Sequence, residues 1–504
     1  MTPLRLILIV VILASFGTIG VDYIMKSKSP VRDVVVVDVQ DETRQVEVSE
    51  ETRVNVINSK LPTSPATSST NTVVKSTLTA LSPWSSYLST SGNYTKSPWA
   101  GTIRNRVSET EPANVLLNTN ILMVDSQGLE SARRQSDVDA YMKAFLADSG
   151  AQWREGMYSR TIGLINEQKK SSKTFSWQIG NEINSIHFRD AFNTWSAANP
   201  TKKLSGDPII PYFVEYYLAP SIEGIRRAEL EMGIDVPVAL GSIAGAYNPN
   251  NRKWLDDILS YKITGTYAPT LAGKKVSEII EIATIHYLVS IDDDWENSLN
   301  GIWNKWVGVG SVRGLWSTEE IGKKAGGRGE GAGTAVRVFA RYNSWWIKKG
   351  INSERGLSSF WGPEISGPAG STTNGNYSLG LINNFWGNKN GKLIDRSSSL
   401  KFGELTGLYE AYLFGNTLSP EKALMIVFPR RDSSVALSSV SFSIPGWNGS
   451  VSASAHTLST SGDKISNPSV IQKDGLYSIN FQPQLSLQAS GNNVPVYVIL
   501  LTKN

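Results

Sequence analysis

A chain of 504 residues with 49 basic and 45 acidic side chains carries a formal charge of only +4, and it contains no cysteine. The length suits one large domain plus a smaller companion, because single cores stop growing near ~250 to 300 residues. Near-neutrality leaves no basic excess to neutralise a run of phosphates, so nucleic acid is not an expected partner. Without cysteine there are no disulfides, thiolate nucleophiles or Cys-ligated metal centres, and His187, His286 and His456 are too few for a multi-histidine metal site. Fifteen Trp and 18 Tyr lean weakly towards carbohydrate, since flat aromatic faces suit the C–H faces of sugar rings.

In chain order, Arg5 precedes an almost wholly apolar run at residues 6–21, followed by Asp22 and Lys26. This is a basic region and a hydrophobic segment, the pattern of an export signal. No clear small-x-small cleavage site follows, so residues 1–30 read either as a cleaved signal peptide or as a membrane tether through residues 6–21. Both place the protein outside the cytoplasm, as a secreted, periplasmic or anchored species; a buried core helix is the bland alternative. Residues 34–39 and 44–56 read as two short strands, and a Ser/Thr/Pro-rich stretch at about 59–76 reads as a linker. Residues 31–76 therefore form a short N-terminal segment.

From 77 to 417, short apolar runs alternate with helix-period segments, as expected for parallel strands joined by crossover helices. The strands are expected at 115–124, 175–179, 236–240, 281–288, 312–317 and 357–361, and helices at 137–169, 215–232 and 334–348. The strands between 77 and 110 have no clear position. After a helix near 403–412 the pattern turns to period two at 423–428, 435–444, 451–458, 476–481 and 495–501, separated by turn clusters such as Pro445-Gly446-Trp447-Asn448-Gly449. The expected fold is α/β: a (β/α)₈ barrel over 77–417 with a C-terminal antiparallel β-sandwich over 418–504, whose sheet the strands at 34–56 could complete.

Two strands end abruptly in acid. Trp177-Gln178-Ile179-Gly180-Asn181-Glu182 closes one, and Gly314-Leu315-Trp316-Ser317-Thr318-Glu319-Glu320 closes another. In a barrel the functional face lies at the C-terminal ends of the strands, so both acids would point into one cleft. Adjacent strand residues face opposite ways, so only one of Glu319 and Glu320 can do so, and the other is expected to be a salt-bridge partner.

With these two motifs the chain resembles the clan A retaining glycoside hydrolases, the group that includes families 5, 30, 39 and 51. There, an Asn-Glu at the end of the fourth barrel strand supplies the acid/base, and a Glu closing the seventh, often after Trp-x-Thr, supplies the nucleophile. The resemblance implies Asn181-Glu182 for the first and Trp316-Ser317-Thr318-Glu319 for the second. It covers roughly residues 77–417. The family ending is Thr-Glu, one apolar residue, then Gly, whereas Glu319-Glu320-Ile321-Gly322 carries an additional residue. Counting from Trp316 selects Glu319 and counting back from Gly322 selects Glu320; Glu319 is the preferred choice.

The resemblance further implies hydrolysis of a polysaccharide or oligosaccharide by double displacement, with no cofactor or metal. Asn181 would bind the sugar 2-hydroxyl, or merely cap a helix. His286 and Tyr287 end a strand and would contact nucleophile or sugar, unless His286 is a satisfied core residue. Trp361 would floor the cleavage subsite, or be barrel core. The acidic run 292–296 reads as an exposed turn, a subsite lining or a calcium loop, and the Gly-rich run 326–333 as a mobile lid, since it lacks the ending of a phosphate loop. A transglycosylase would use the same residues, and a non-catalytic polysaccharide-binding protein on a degenerate barrel is the reading from another class.

Overall fold

The computed structural model describes residues 90–91, 119–124, 142–143, 145–170, 174–180, 182–184, 209–290, 292, 294–320, 331–351, 355–360, 372, 375–386, 393–401, 409–430, 434–459, 462–488 and 495–504. The expected export segment or membrane tether through 6–21, the strands expected at 34–56 and the expected linker lie outside the described residues. Among the described residues no helix is long and apolar enough to cross a membrane.

The first sheet has seven strands in sequential order: β1 (Thr90–Ser91), β2 (Thr119–Val124), β3 (Thr174–Ile179), β4 (Val238–Leu240), β5 (Ile282–His286), β6 (Gly314–Glu320) and β7 (Gly356–Phe360). β1 pairs antiparallel with β2, and β2 to β7 are parallel throughout. Parallel neighbours need a crossover, and helices supply it. They are α1 (Ala151–Gln168), α2 (Ile209–Phe213) running through a π-turn into α3 (Ala219–Met232), α4 (Pro249–Ser260), α5 (Trp295–Ile302), α6 (Gly331–Lys349) and, after β7, α7 (Gly375–Trp386). Closure into an eight-stranded barrel is not among the described pairings. The architecture is mixed α/β with one largely parallel sheet and separate antiparallel sheets.

Period-two alternation sorts the strand residues. Val238, Leu240, Ala283, Ile285 and Leu315 join the main core with Tyr217, Ile222, Ile225, Val336 and Ala340 of the helical layer. Their neighbours Ala239, Ile282 and Trp316 form a separate small cluster on the opposite face. β5 and β6 are buried at every position, which is why they read as continuous runs rather than alternating ones. Local signals agree: α3 carries Pro220 in its first turn and stops on Gly233 in the left-handed region, at φ 63°.

The C-terminal part holds two antiparallel sheets. The larger has six strands in the order β13 (Gly462–Ser466), β12 (Val451–Ser459), β16 (Val496–Lys503), β10 (Lys422–Pro429), β9 (Tyr409–Asn416) and β8 (Leu393–Asp395). The smaller has β11 (Ser434–Phe442), β15 (Leu476–Gln488) and β14 (Val470–Lys473). On β10, Leu424, Ile426 and Phe428 enter the main core, while Ala423, Met425 and Val427 enter a second core with Val440, Phe442, Tyr477 and Ile479 of the smaller sheet. Helix α6 packs on β8, β10, β12 and β16. The six-stranded sheet is thus a middle layer with apolar contacts on both faces.

Three expectations require correction. The helix read near 403–412 is wrong in its described portion, because Tyr409–Asn416 is β9, paired along its length with β10. Tertiary pairing overrides the local pattern there. β8 and β9 also precede residue 418, where the change in composition had placed the start of the antiparallel part. The end of the Gly-rich run differs as well: Gly331–Gly333 forms the first turn of α6, and 326–330 lie outside the described residues.

Candidate active site

The parallel sheet turns polar at its C-terminal edge. At the end of β3, Gly180 at φ 82° swings the chain away from the strand, and Glu182 follows at φ 45°. A glutamate in the left-handed region is uncommon and costs roughly 1 to 3 kcal/mol unless its surroundings hold it there. Here the Asn184 side chain does so, accepting from Ala244 N at 2.7 Å and donating to Ala244 O at 3.0 Å, which ties the Glu182 segment to the one after β4. Those two strand ends run close together, since a Cβ on Gly241 would fall 2.4 Å from Ile179 O.

On β6 the register decides which acid enters the site. Ser317 pairs with Ile285 of β5 and Ser358 of β7; beyond it, Glu319 pairs with His286 and Glu320 with Phe360. An irregularity therefore sits at Thr318-Glu319 against both neighbours. Strict alternation from Trp316 would put Thr318 and Glu320 on one face and Ser317 and Glu319 on the other. The bulge breaks that rule and re-aims the acid side chains, a common use of bulges beside functional sites. Thr318 and Glu319 both reach His286, while Ser317 and Glu320 hydrogen-bond each other at 2.7 Å. The extra residue in Glu319-Glu320-Ile321-Gly322 coincides with this bulge.

His286, fully buried at the end of β5, lies between the acids. Its Nδ1 is 3.1 Å from Glu182 Oε1 and 3.9 Å from Glu319 Oε2. Its Nε2 is 3.0 Å from Thr318 Oγ1, itself 2.6 Å from Ser242 Oγ. Each ring nitrogen thus has a hydrogen-bond partner, so the imidazole orientation is fixed from both sides. Tyr287, at φ 57°, donates its phenol to Glu319 Oε1 and its backbone N–H to Glu319 O at 3.0 Å. One oxygen or nitrogen from each of Glu182, His286 and Glu319 falls within 4.8 Å of the others.

Charge states follow from this crowding. Burial pushes the His286 imidazole down, but Glu319 and Glu182 outweigh it and raise its pKa above the ordinary value. Burial pushes Glu182 up, yet the hydrogen bond and charge of His286 bring it below the usual carboxylate range. Glu319 is more deeply buried, and desolvation prevails over His286 and Tyr287 to leave it raised. Burial next to Glu319 and Glu182 raises Tyr287 far above its ordinary value, so its phenol stays protonated and donates.

The segment behind Tyr287 is clamped on both sides. Glu320, fully buried, accepts from Val289 N at 3.4 Å, Ser290 N at 3.1 Å, Ser290 Oγ at 2.6 Å and Tyr342 OH at 2.9 Å besides Ser317. These are neutral donors, where an ion pair was the expectation. From α6, Arg337 donates to Ser290 O at 2.6 Å and Arg341 to Val289 O at 2.7 Å. Arg341 also forms a buried ion pair with Glu410 of β9 at 2.6 Å, so the antiparallel sheet is tied to the strand end that carries Tyr287. Asp292 is an anchor rather than a solvated acid: it accepts from Asp294 N at 2.9 Å and Ser298 Oγ at 2.7 Å at the start of α5.

Of the six site residues picked out in the sequence, Glu182, His286, Tyr287 and Glu319 meet in this cluster. Asn181 and Trp361 lie outside the described residues. Sequence reasoning gave no role to Thr318 or Asn184, and weighed Ser242 only as a nucleophile, for which its Gly241-Ser242-Ile243-Ala244-Gly245 setting is wrong. Thr318 stood inside the quoted motif, but nothing local marks Ser242 or Asn184, whose partners are 76 and 60 residues distant.

No family model and no curated protein matches this chain. Among solved structures, a conserved exported protein from Bacteroides fragilis is similar over 68% of this chain and 69% of its own, with 12% identity and a TM-score of 0.37. A family 44 endoglucanase from Clostridium thermocellum shares 11% identity over 68% of this chain and 70% of its own, at a TM-score of 0.35. A family 44 xyloglucanase from Paenibacillus polymyxa gives 11%, 68%, 70% and 0.38 for the same quantities. Likeness at this level leaves the activity to be argued from the site itself.

Proposed function

We propose that this chain is a retaining glycoside hydrolase of the clan A type, exported from the cytoplasm, that cleaves a polysaccharide or oligosaccharide with Glu319 as nucleophile and Glu182 as acid/base. The observation that carries the reading is the pair of carboxylates on two strand ends, with oxygens within 4.8 Å and His286 between them. Double displacement uses carboxyl groups about 5 to 5.5 Å apart, with no room for water between them, whereas inversion uses a wider gap. In full, the fold would be an eight-stranded barrel with a C-terminal sandwich.

In the first step Glu319 attacks the anomeric carbon as Glu182 passes a proton to the departing glycosidic oxygen, giving a glycosyl ester. In the second, Glu182 takes a proton from water, the water attacks the same carbon, and Glu319 leaves as carboxylate. Tyr287 holds Glu319 in line and releases no proton. His286 supplies the proton inventory: a charged imidazole bonded to ionised Glu182 and a neutral imidazole bonded to protonated Glu182 contain the same proton, shifted along one hydrogen bond. These groups titrate as a set. Asn181 would bind the 2-hydroxyl and Trp361 would floor the subsite.

One observation favours exchanging the roles. Among the protein's own groups Glu182 is the lowered acid and Glu319 the raised one, the reverse of what donation by Glu182 uses. Azide decides between them. With Glu319→Ala, azide restores turnover and gives a glycosyl azide of inverted configuration if Glu319 is the nucleophile. A retained azide from that variant, and an inverted one from Glu182→Ala, would reverse the assignment. No rescue in either, with the wild type active, would remove double displacement from consideration.

A further inference from the structure

The chain after β4 continues along β5 past the end of the sheet. His286 N donates to Ile243 O at 2.9 Å, and Ala246 N donates to His286 O at 3.0 Å. Tyr247 follows, one residue beyond a backbone contact with the central histidine of the site. It is 40% exposed and is the single aromatic among the exposed large hydrophobic residues of the described chain. The others, Leu230, Val309, Leu418, Ile465 and Ile471, are aliphatic, and scattered aliphatics on a surface need no explanation.

Tyr247 is also held in place. Gly245, at φ 60°, makes the turn, and a Cβ there would lie 3.4 Å from Tyr247 Cε1, so the ring edge rests over the glycine. Asn248 N at 2.9 Å and Asn251 Nδ2 at 3.1 Å both donate to Gly245 O. Arg252, in the first turn of α4, donates to Ala246 O at 2.9 Å and Tyr247 O at 3.1 Å. A rigid aromatic loses little freedom on binding, which is what makes exposed Tyr effective at recognition surfaces.

We infer that Tyr247 is a sugar-stacking platform on the rim of the carboxylate site. It would give the site a second saccharide unit to hold beside the one at the cleavage point, and so a preference for chains over monoglycosides. The inference rests on the glycosidase reading of Glu182 and Glu319. An apolar face of the ring meets the C–H face of the sugar, while Arg252 fixes the backbone that carries the ring.

The test compares wild type, Tyr247→Ala and Tyr247→Trp on soluble β-glucan, xylan, galactan and polyuronate and on aryl monoglycosides of the same sugars. Expected are a KM on the cleaved polysaccharide raised about tenfold by Tyr247→Ala, a smaller factor on the aryl glycoside, and recovery in Tyr247→Trp. Equal factors on both substrates, or no recovery with Trp, would overturn the platform and leave the glycosidase reading standing. If the wild type cleaves none of the panel, that reading fails, and affinity electrophoresis in the same polysaccharides decides the platform alone. Retardation lost in Tyr247→Ala and restored in Tyr247→Trp supports it; equal or absent retardation overturns it.

Discussion

The edge of the parallel sheet and the middle of the six-stranded antiparallel sheet obey opposite rules. On β10, alternation is strict, and both faces find apolar partners in two separate cores. At the ends of β3, β5 and β6, alternation is broken by a bulge, two residues other than glycine sit at positive φ, and two acids crowd one buried imidazole. The first region is built to be stable, and the second holds an unstable arrangement in place. The difference teaches that the regular region is what makes the irregular one affordable, through the Arg341–Glu410 pair and the clamp on 289–292.

The largest effect expected from breaking this contrast is chemical. Glu182→Gln should lower kcat on unactivated glycosides about 10²- to 10⁴-fold, the usual share of a general acid/base, while the thermal midpoint falls only slightly through the weakened contact with His286. A midpoint falling in parallel with activity would mean that Glu182 belongs to the stabilising region instead.

Next is the tie between the regions. Burial pushes Glu410 up, but Arg341 and Tyr412 hold it below the usual range, so it is a charge that depends on its partner. Arg341→Met leaves that charge buried without its paired guanidinium, with the Tyr412 hydroxyl still donating to it, and should cost about 3 to 5 kcal/mol in urea unfolding. Arg341→Met with Glu410→Met should recover much of the loss; equal destabilisation in the double variant would show that the pair is not the source.

Glu320→Gln sharpens the comparison further. It keeps the shape and replaces one acceptor oxygen by a donor among groups that already donate, which should cost about 1 to 3 kcal/mol. Because those groups belong to the segment after Tyr287, kcat should fall too, by less than with Glu182→Gln. Loss of kcat as complete as in Glu319→Ala would put Glu320 in the site.

The smallest effect is in pH dependence. The raised His286 stabilises the folded protein below its unfolded pKa, and that contribution is lost as pH rises through its folded value. The lowered Glu182 contributes above the ordinary carboxylate value and is lost as pH falls through its folded one; raised Glu319 acts oppositely and costs stability once ionised. His286→Asn should therefore flatten the thermal midpoint between neutral and mildly alkaline pH. A slope unchanged from wild type there would assign it to other groups.

Much of this was legible beforehand because strand ends announce themselves. The runs ending at Glu182, His286 and Glu319 pass from apolar to acid or imidazole within two residues, and that change survives without any alignment. The choice between Glu319 and Glu320 could be framed but not made from alternation alone, since a bulge is a property of pairing with β5 and β7. Tyr409–Asn416 was misread because β9 carries buried residues on nearly every position, which blurs period two into a helical pattern. Ser242 and Asn184 act through partners far along the chain, and no local signal reports such contacts.

The left-handed backbone at Glu182 has an evolutionary corollary. Asn and Gly occupy that region with less strain than Glu, so either replacement would relieve the turn while discarding the carboxylate. Survival of heat, taken as the sole criterion over many generations of random change, would thus enrich sequences that are sturdier and inert. On the proposed function, only selection on the reaction itself would hold a glutamate at position 182 against that drift.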